Sequence, residues 1–275
     1  MQTPVDFSVV MPTFRRPAEL RIAISSVLAQ AGVEVEVIVA DDSPERSAEA
    51  VVSSFQDPRV TYMAGQPSGG FPSKVRNLAW PHARGNFVHF LDDDDIVPQG
   101  HYAAVKAVFI KQPDIGVVFC RIAPFGNCSK EQLQHETEYF AKAARLASFC
   151  QRLGSRKAFV ACLMFRWAIM VCGAGMLRRD CLVHLGGFDP ELRLREDVDF
   201  YSRAMRRFGV YFLDQVGLQY RIGSPSLMHA PVLTELDLRQ LQEAQSRTNA
   251  RYKREWGAFE FYALKLFART LLKIV

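Results

Sequence analysis

Apolar positions fall into two alternating kinds of block along the first 120 residues. Phe7-Ser-Val-Val-Met-Pro12 is a short apolar run closed by proline, the pattern of a strand buried on both faces. Pro17 then stands where a helix starts without losing a hydrogen bond, and Leu20, Ile24, Val27 and Leu28 recur at helical spacing. A β-branched run over 35–40 ends in the turn sequence Asp41-Asp42-Ser43-Pro44. The alternation continues with a helix over 48–55, a strand over 59–63 and a loop holding Gly65, Gly69 and Gly70. A helix over 73–83 follows, which Pro81 ends or kinks, then a strand over 86–91 that runs straight into Asp92-Asp93-Asp94-Asp95. Pro98 opens a further helix to about Lys111, and 115–121 reads as a fifth strand.

Strands alternating with helices predict an α/β fold, a mostly parallel sheet with helices on both faces. Ligands of such sheets bind beyond the carboxyl ends of the strands. Asp41-Asp42 and Asp92 to Asp95 both follow strand ends, so they are expected on one rim although fifty residues separate them.

After Arg121 the pattern changes. Residues 129–152 are polar and helical in spacing, and 158–177 are apolar apart from Arg166. That stretch is long enough to span a bilayer. A mid-span arginine is costly there, and Gly173 and Gly175 break its second half, so a buried helix end followed by a core strand is expected. A Gly186-Gly187-Phe188-Asp189 turn, a helix from near Glu196, short strands over 210–213 and 217–221 and a helical tail broken near Gly257 complete the chain. The expected organisation is a domain over 1–222, with halves 1–121 and 122–222, and a C-terminal helical extension over 223–275.

Composition adds bounds. The 275 residues are 49% hydrophobic and 23% charged, as in an ordinary globular protein, with net charge +5. Lys and Arg are spread along the chain rather than gathered in a basic patch, which argues against nucleic acid. Six cysteines form no C-x-x-C pair and no zinc spacing, so free thiols in a reducing compartment are expected. No signal-like opening precedes the first strand, which points to the cytoplasm. In the tail Leu264, Phe267, Leu271 and Ile274 share a face, and Lys265, Arg269 and Lys273 recur every four residues. Such a helix packs on its own domain or a second copy, or lies on the inner face of a membrane.

Four successive aspartates repel one another beside an apolar strand, and a hard divalent cation, Mg²⁺ or Mn²⁺, relieves that repulsion. Neighbouring side chains of an extended loop point in opposite directions, so Asp92 with Asp94, or Asp94 alone, is the expected ligand set. A solvated acidic turn ahead of the Pro98 helix is the non-functional alternative.

Taken in order, Ser8-Val-Val-Met-Pro-Thr-Phe14, Val39-Ala-Asp-Asp-Ser43, Ser73-Lys-Val-Arg-Asn77, Gly85-Asn-Phe-Val-His-Phe-Leu-Asp-Asp-Asp-Asp95, Gly186-Gly-Phe-Asp189 and Glu196-Asp197 resemble an inverting family 2 glycosyltransferase with the GT-A fold. The resemblance covers roughly residues 7–222. It implies that Pro12 and Thr13 border the base and ribose of a nucleotide sugar, a UDP-sugar in many members, and that Asp41 bonds the base. It implies further that Arg76 faces the diphosphate, that Asp92 and Asp93 lie along the nucleotide, and that Asp94, with Asp92, holds the metal. Glu196-Asp197 match the Glu-Asp pair of the family, with Asp197 as general base toward a saccharide or lipid-linked acceptor.

Three departures stand out. Arg15-Arg16 follows Phe14 where relatives commonly carry Asn. Ser43-Pro44 replaces Gly-Ser after the aspartate pair. The family's His after Tyr220-Arg221 is missing, which leaves His229 as the candidate third ligand. Two other readings compete: a sugar-phosphate nucleotidyltransferase, which wants a Gly-rich phosphate loop not seen here, and a non-catalytic sugar-nucleotide-binding or scaffold protein, against which the retention of Asp94 and Asp197 argues.

Overall fold

The computed structural model describes residues 4–65, 68–166, 169–223 and 234–271. The first half alternates as expected: β1 (Phe7–Thr13), α1 (Pro17–Leu28), β2 (Val35–Asp41), α2 (Glu49–Phe55), β3 (Val60–Ala64), α3 (Pro72–Ala79), β4 (Phe87–Phe90), α4 (His101–Lys111) and β5 (Val117–Gly126). Pro81 does end α3, which passes into a single 3₁₀ turn over Trp80–His82. The second half contributes α5 (Lys130–Arg152), α6 (Arg156–Phe165), β6 (Gly175–Arg178), α7 (Arg179–Leu185), α8 (Glu196–Phe208), β7 (Val210–Ile222), α9 (Glu235–Trp256) and α10 (Ala258–Leu271).

The strands form one sheet in the order β3-β2-β1-β4-β6-β5-β7. β1 pairs in parallel with β2 and β4, β2 with β3, and β5 with β7, while β6 runs antiparallel to both β4 and β5. Every residue of β2 and of β4 is buried, which is why these strands read as unbroken apolar runs rather than alternations. β3, at the sheet edge, is half-exposed.

The apolar stretch 158–177 divides as its glycines suggest. Ala158 to Met164 are buried in α6, and the chain then turns back to form β6 in mid-sheet. Gly175 is required there: a β-carbon at this position would stand 2.7 Å from the Tyr201 ring of α8. The Tyr201 hydroxyl donates to the carbonyls of Cys172 (3.1 Å) and Gly175 (2.9 Å), tying α8 to the strand entry.

Two expectations change. The short strands over 210–213 and 217–221 are one strand, β7, whose pairing with β5 skips residues at a bulge between Leu213 and Leu218. The break seen in the sequence is that bulge. α7 went unanticipated because its seven residues carry only two buried side chains, Cys181 and Leu182, too few for a helical period.

The tail joins the same core. α9 opens on a Thr234–Asp237 capping box and packs on α8. α10 packs on α6, where Leu264 and Ala268 are buried and the Phe261 and Phe165 rings lie 5.2 Å apart. Leu264 and Phe267 of the predicted apolar face thus pack on the domain; Ile274 and the side chain of Leu271 lie outside the described residues. Among the described residues no helix is long and apolar enough to cross a membrane.

Candidate active site

The carboxyl ends of β1, β2 and β4 and the start of α8 open on one cavity of about 1170 Å³. The aspartate run forms its floor, and burial alternates along it. Asp93 and Asp95 are buried, Asp92 and Asp94 half-buried and lining the cavity; the run is not the extended loop expected from sequence but a turn, closed by a bond from the Asp95 backbone to the Asp92 carbonyl at 3.3 Å.

Each aspartate has its own partners. Asp93 accepts from the Thr13 hydroxyl at 2.7 Å, and burial pushes its carboxyl up to about 7. Asp94 accepts from Arg16 Nη1 at 2.5 Å, and the same nitrogen reaches Asp93 at 3.3 Å. Burial raises the Asp94 carboxyl, and the charge of Asp92 raises it further, against the pull of Arg16. Asp95 points away from the cavity, accepts from the Arg221 backbone at 2.9 Å, and is held well above the usual carboxylate range by burial. Arg221 Nε also donates to the Asp94 carbonyl at 2.8 Å, so β7 fixes the end of the run.

Arg76 joins the aspartates to α8. Its guanidinium donates through Nη2 to Asp92 and through Nη1 to Glu196, both at 2.7 Å, and lies 5.4 Å from the centre of the Phe188 ring. Only 4% of its side chain is exposed. Burial raises Glu196, and the Arg76 charge opposes that rise. Asp197, the next residue, lines the cavity and accepts from the Val198 backbone at 2.8 Å. Burial raises its carboxyl too, with the Arg76 charge opposing.

α8 is itself held from behind. Asp189 and Asp199 share Arg251 of α9; Arg247 donates to Asp189 at 2.7 Å and Arg203 to Asp199 at 2.9 Å. Arg193 bonds Asp237 and Gln240 of α9 at 3.0 and 2.9 Å, which brings Asp237 to the cavity edge.

The site residues expected from sequence are thus largely brought together. Pro12, Thr13, Arg76, Asp92, Asp93, Asp94, Glu196 and Asp197 all line the cavity. Asp41 does not. Its carboxylate turns into its own loop, where it accepts from the Ser43 backbone and hydroxyl, the Ala48 backbone and the Tyr62 hydroxyl. The neighbouring Asp42 lines the cavity instead, bonded by Ser68. His229 lies outside the described residues. Arg16, which the sequence shows as a departure from the family pattern, sits on the aspartates. Its signal was a cation just past the end of a strand whose neighbour ends in carboxylates.

Asp92 and Asp94 present hard oxygen donors to one cavity, a set that fits Mg²⁺ or Mn²⁺. Among the described residues no third His, Cys, Asp or Glu gathers with them into a metal-binding group. The two carboxylates fit such an ion only as part of its shell.

A twisted, mostly parallel sheet with a carboxylate-lined cavity over its strand ends, and one antiparallel strand in the middle, is the GT-A fold. The chain belongs to glycosyl transferase family 2, whose family model matches residues 8–185. Relatives include a GalNAc(5)-diNAcBac-PP-undecaprenol beta-1,3-glucosyltransferase of Campylobacter jejuni, 34% identical over 151 residues, which cover 52% of this chain and 48% of that protein. Another is the UDP-Glc:alpha-D-GlcNAc-diphosphoundecaprenol beta-1,3-glucosyltransferase WfgD of Escherichia coli, 34% identical over 89 residues, 32% of this chain and 35% of that protein. The match therefore spans half or less of the length of each. Among solved structures, S. aureus TarS 1-349 in complex with UDP-GlcNAc shares the fold with a TM-score of 0.63 at 18% identity, over 96% of this chain and 79% of that one.

Proposed function

We propose that the protein is an inverting glycosyltransferase that moves a sugar from a UDP-sugar to a hydroxyl of a saccharide or lipid-linked acceptor, with Mn²⁺ or Mg²⁺ as cofactor. The observation that carries this reading is the Arg76 bridge. One buried guanidinium holds Asp92, just past the end of β4, next to Glu196, at the start of α8, in the lining of one cavity. That brings the two groups a transfer with inversion needs into one place: carboxylates for a cation that stabilises the departing diphosphate, and the Glu196-Asp197 pair as the source of a base for the acceptor.

In this reading Asp197 takes the proton of the acceptor hydroxyl. The new bond forms from that oxygen to the anomeric carbon, the bond to the diphosphate breaks from the opposite face, and the nucleoside diphosphate leaves. Arg16 and Arg221, both at the aspartate run, supply cations on the leaving side. Asp92 and Asp94 would hold the divalent ion, which when bound stabilises the charge growing on the diphosphate. The names of the relatives, which include undecaprenol-linked sugars and UDP-Glc, support the substrate classes. An apolar wall from α5 and α6, including Tyr139, Leu163 and Met164, supports an acceptor with an apolar part.

Phe259, Tyr262 and Leu266 form an exposed apolar edge on α10, next to the exposed Arg269. This edge supports peripheral contact with the inner face of a membrane. Flotation with anionic vesicles tests it, and a concentration-dependent dimer without flotation would replace it.

The activity test is release of nucleoside diphosphate from a panel of nucleotide sugars with Mn²⁺, with and without acceptors. UDP release from a UDP-sugar supports the reading. Pyrophosphate release from a sugar phosphate and a nucleoside triphosphate would favour a nucleotidyltransferase. Binding without turnover on any acceptor would favour a scaffold.

A further inference from the structure

The arginines that line the cavity differ in one respect. Arg16 is bonded to Asp93 and Asp94, Arg76 to Asp92 and Glu196, Arg193 to Asp237 and Gln240, Arg166 to the Ala268 carbonyl and Arg221 to the Asp94 carbonyl. Arg195 lines the same cavity, and among the described residues no hydrogen bond or ion pair of its side chain is found. It is half-buried, and burial lowers its pKa. None of its nitrogens is among the buried, unpartnered side-chain atoms of the described residues, so the guanidinium stays open to the cavity, where an incoming anion can reach it. The charge of Asp197 is near enough to oppose that shift, yet no ion pair forms between the two.

The backbone adds an independent observation. Arg195 is the N-cap of α8 and sits in the left-handed region, with φ 57° and ψ 21°. A residue with a long side chain is uncommon there, and glycine or asparagine adopts it more easily. Such strain persists where the surroundings hold it, and it clusters at ligand sites. Here it fixes the residue that immediately precedes the Glu196-Asp197 pair.

We propose that Arg195 is an oxyanion-binding residue of the acceptor subsite: it takes a phosphate or carboxylate group carried by the acceptor, and so sets the acceptor hydroxyl beside Asp197. This rests on the reading of Asp197 as the acceptor-side base. A planar guanidinium fork suits either oxyanion. Pairing with the substrate rather than with Asp197 also leaves the base without a competing ion pair. The selectivity follows directly: acidic acceptors are preferred over neutral ones of the same size.

Three probes separate the sources of the charge: glucose 1-phosphate, glucuronate and methyl glucoside. Each is titrated into the full chain with UDP present, so that the cations on the donor side are occupied. The measurement is binding by saturation-transfer NMR, for the wild-type protein, Arg195→Gln and Arg195→Lys. One or both acidic sugars are expected to bind the wild type about ten- to hundredfold tighter than methyl glucoside, the usual range for a hydrogen bond to a charged group. R195Q should abolish the difference and R195K retain part of it. A phosphate-only preference identifies a phosphorylated acceptor, and a glucuronate-only preference an acidic sugar. Equal binding of charged and neutral sugars by the wild type, or a preference that survives in R195Q, overturns the proposal. The wild-type comparison stands even if a variant fails to fold. Failure of the function itself reads differently: the wild type would then bind no UDP-sugar, whatever its preference among the three probes.

Discussion

At the residue scale the site depends on the environment of two side chains. In the proposed transfer Asp197 would serve as the base, and only when ionised. Burial raises its pKa above the ordinary value of 3.8, so activity should be lost, as pH falls, at a higher pH than for an exposed aspartate. Asp197→Asn should lower kcat by about 10²–10⁴-fold while UDP-sugar affinity changes by no more than about twofold. Steady-state rates and calorimetric titration of the same preparation check both halves, and lost donor binding would give Asp197 a structural or metal role instead. Arg76 carries a different load. Removing one partner of a buried ion pair is strongly destabilising, and Arg76→Met should cost about 3 kcal/mol, the low end of the range because Asp92 keeps contact with solvent. Urea unfolding measures this. Adding Glu196→Gln should recover part of the loss, because the two residues are directly bonded. Asp94, Arg76 and Asp197 were legible in the sequence because each sits in an ordered motif. The inward turn of Asp41 was not. It depends on donors from Ser43, Ala48 and Tyr62, and Tyr62 comes from a neighbouring strand that no local pattern connects to it.

At the element scale the central strands were legible because burial on both faces leaves no polar position to blur them. β2 is the plain case, with all seven residues buried. Bulges and short helices were not, since neither has a period of its own: β7 read as two strands and α7 as none. The packing of α10 was legible only as one option among three, because the amphipathic face of a terminal helix suits core, partner and membrane alike. The structure shows what anchors it. Glu260 of α10 accepts from Arg206 of α8 at 2.7 and 3.0 Å and from Tyr252 of α9 at 2.7 Å, and it pairs with Lys157 of α6 at 2.6 Å. The Arg206 hydrogen bonds lead in lowering its pKa to about 2, from the usual 4.5. A depressed carboxylate gives stability that is full above the unfolded value and is lost as pH falls through the folded one. That window runs from about 4.5 down to about 2. Glu260→Gln should therefore cost only about 1 kcal/mol at neutral pH, since solvent reaches the cluster, and should flatten the acid limb of the stability curve in that window. Thermal melts at several pH values test it. An unchanged acid limb would mean that α10 is held by Phe261, Leu264 and Ala268 alone.

At the scale of the whole molecule the sheet brings together only part of the shell that the proposed divalent ion would need. β4 delivers Asp92 and Asp94 to the cavity, but among the described residues no third metal-type side chain gathers with them. Arg16 already occupies Asp94, and Arg76 already occupies Asp92. A divalent ion arriving alone would have to displace two cations from two carboxylates and complete its shell with water. A UDP-sugar changes that balance, because its diphosphate brings oxygens to the ion and gives the displaced guanidiniums a new anionic partner. Mn²⁺ and donor should therefore bind with positive coupling. The Kd for Mn²⁺ should fall by about tenfold or more when UDP is present, and linkage requires Mn²⁺ to tighten UDP by the same factor. Electron paramagnetic resonance of free Mn²⁺ reads the first change and calorimetry with UDP the second. Arg16→Ala should narrow the gap by strengthening Mn²⁺ binding without nucleotide, since it removes one competitor from Asp94. Mn²⁺ binding equally tight with and without UDP would mean that the protein completes the shell itself, with a ligand outside the described residues such as His229.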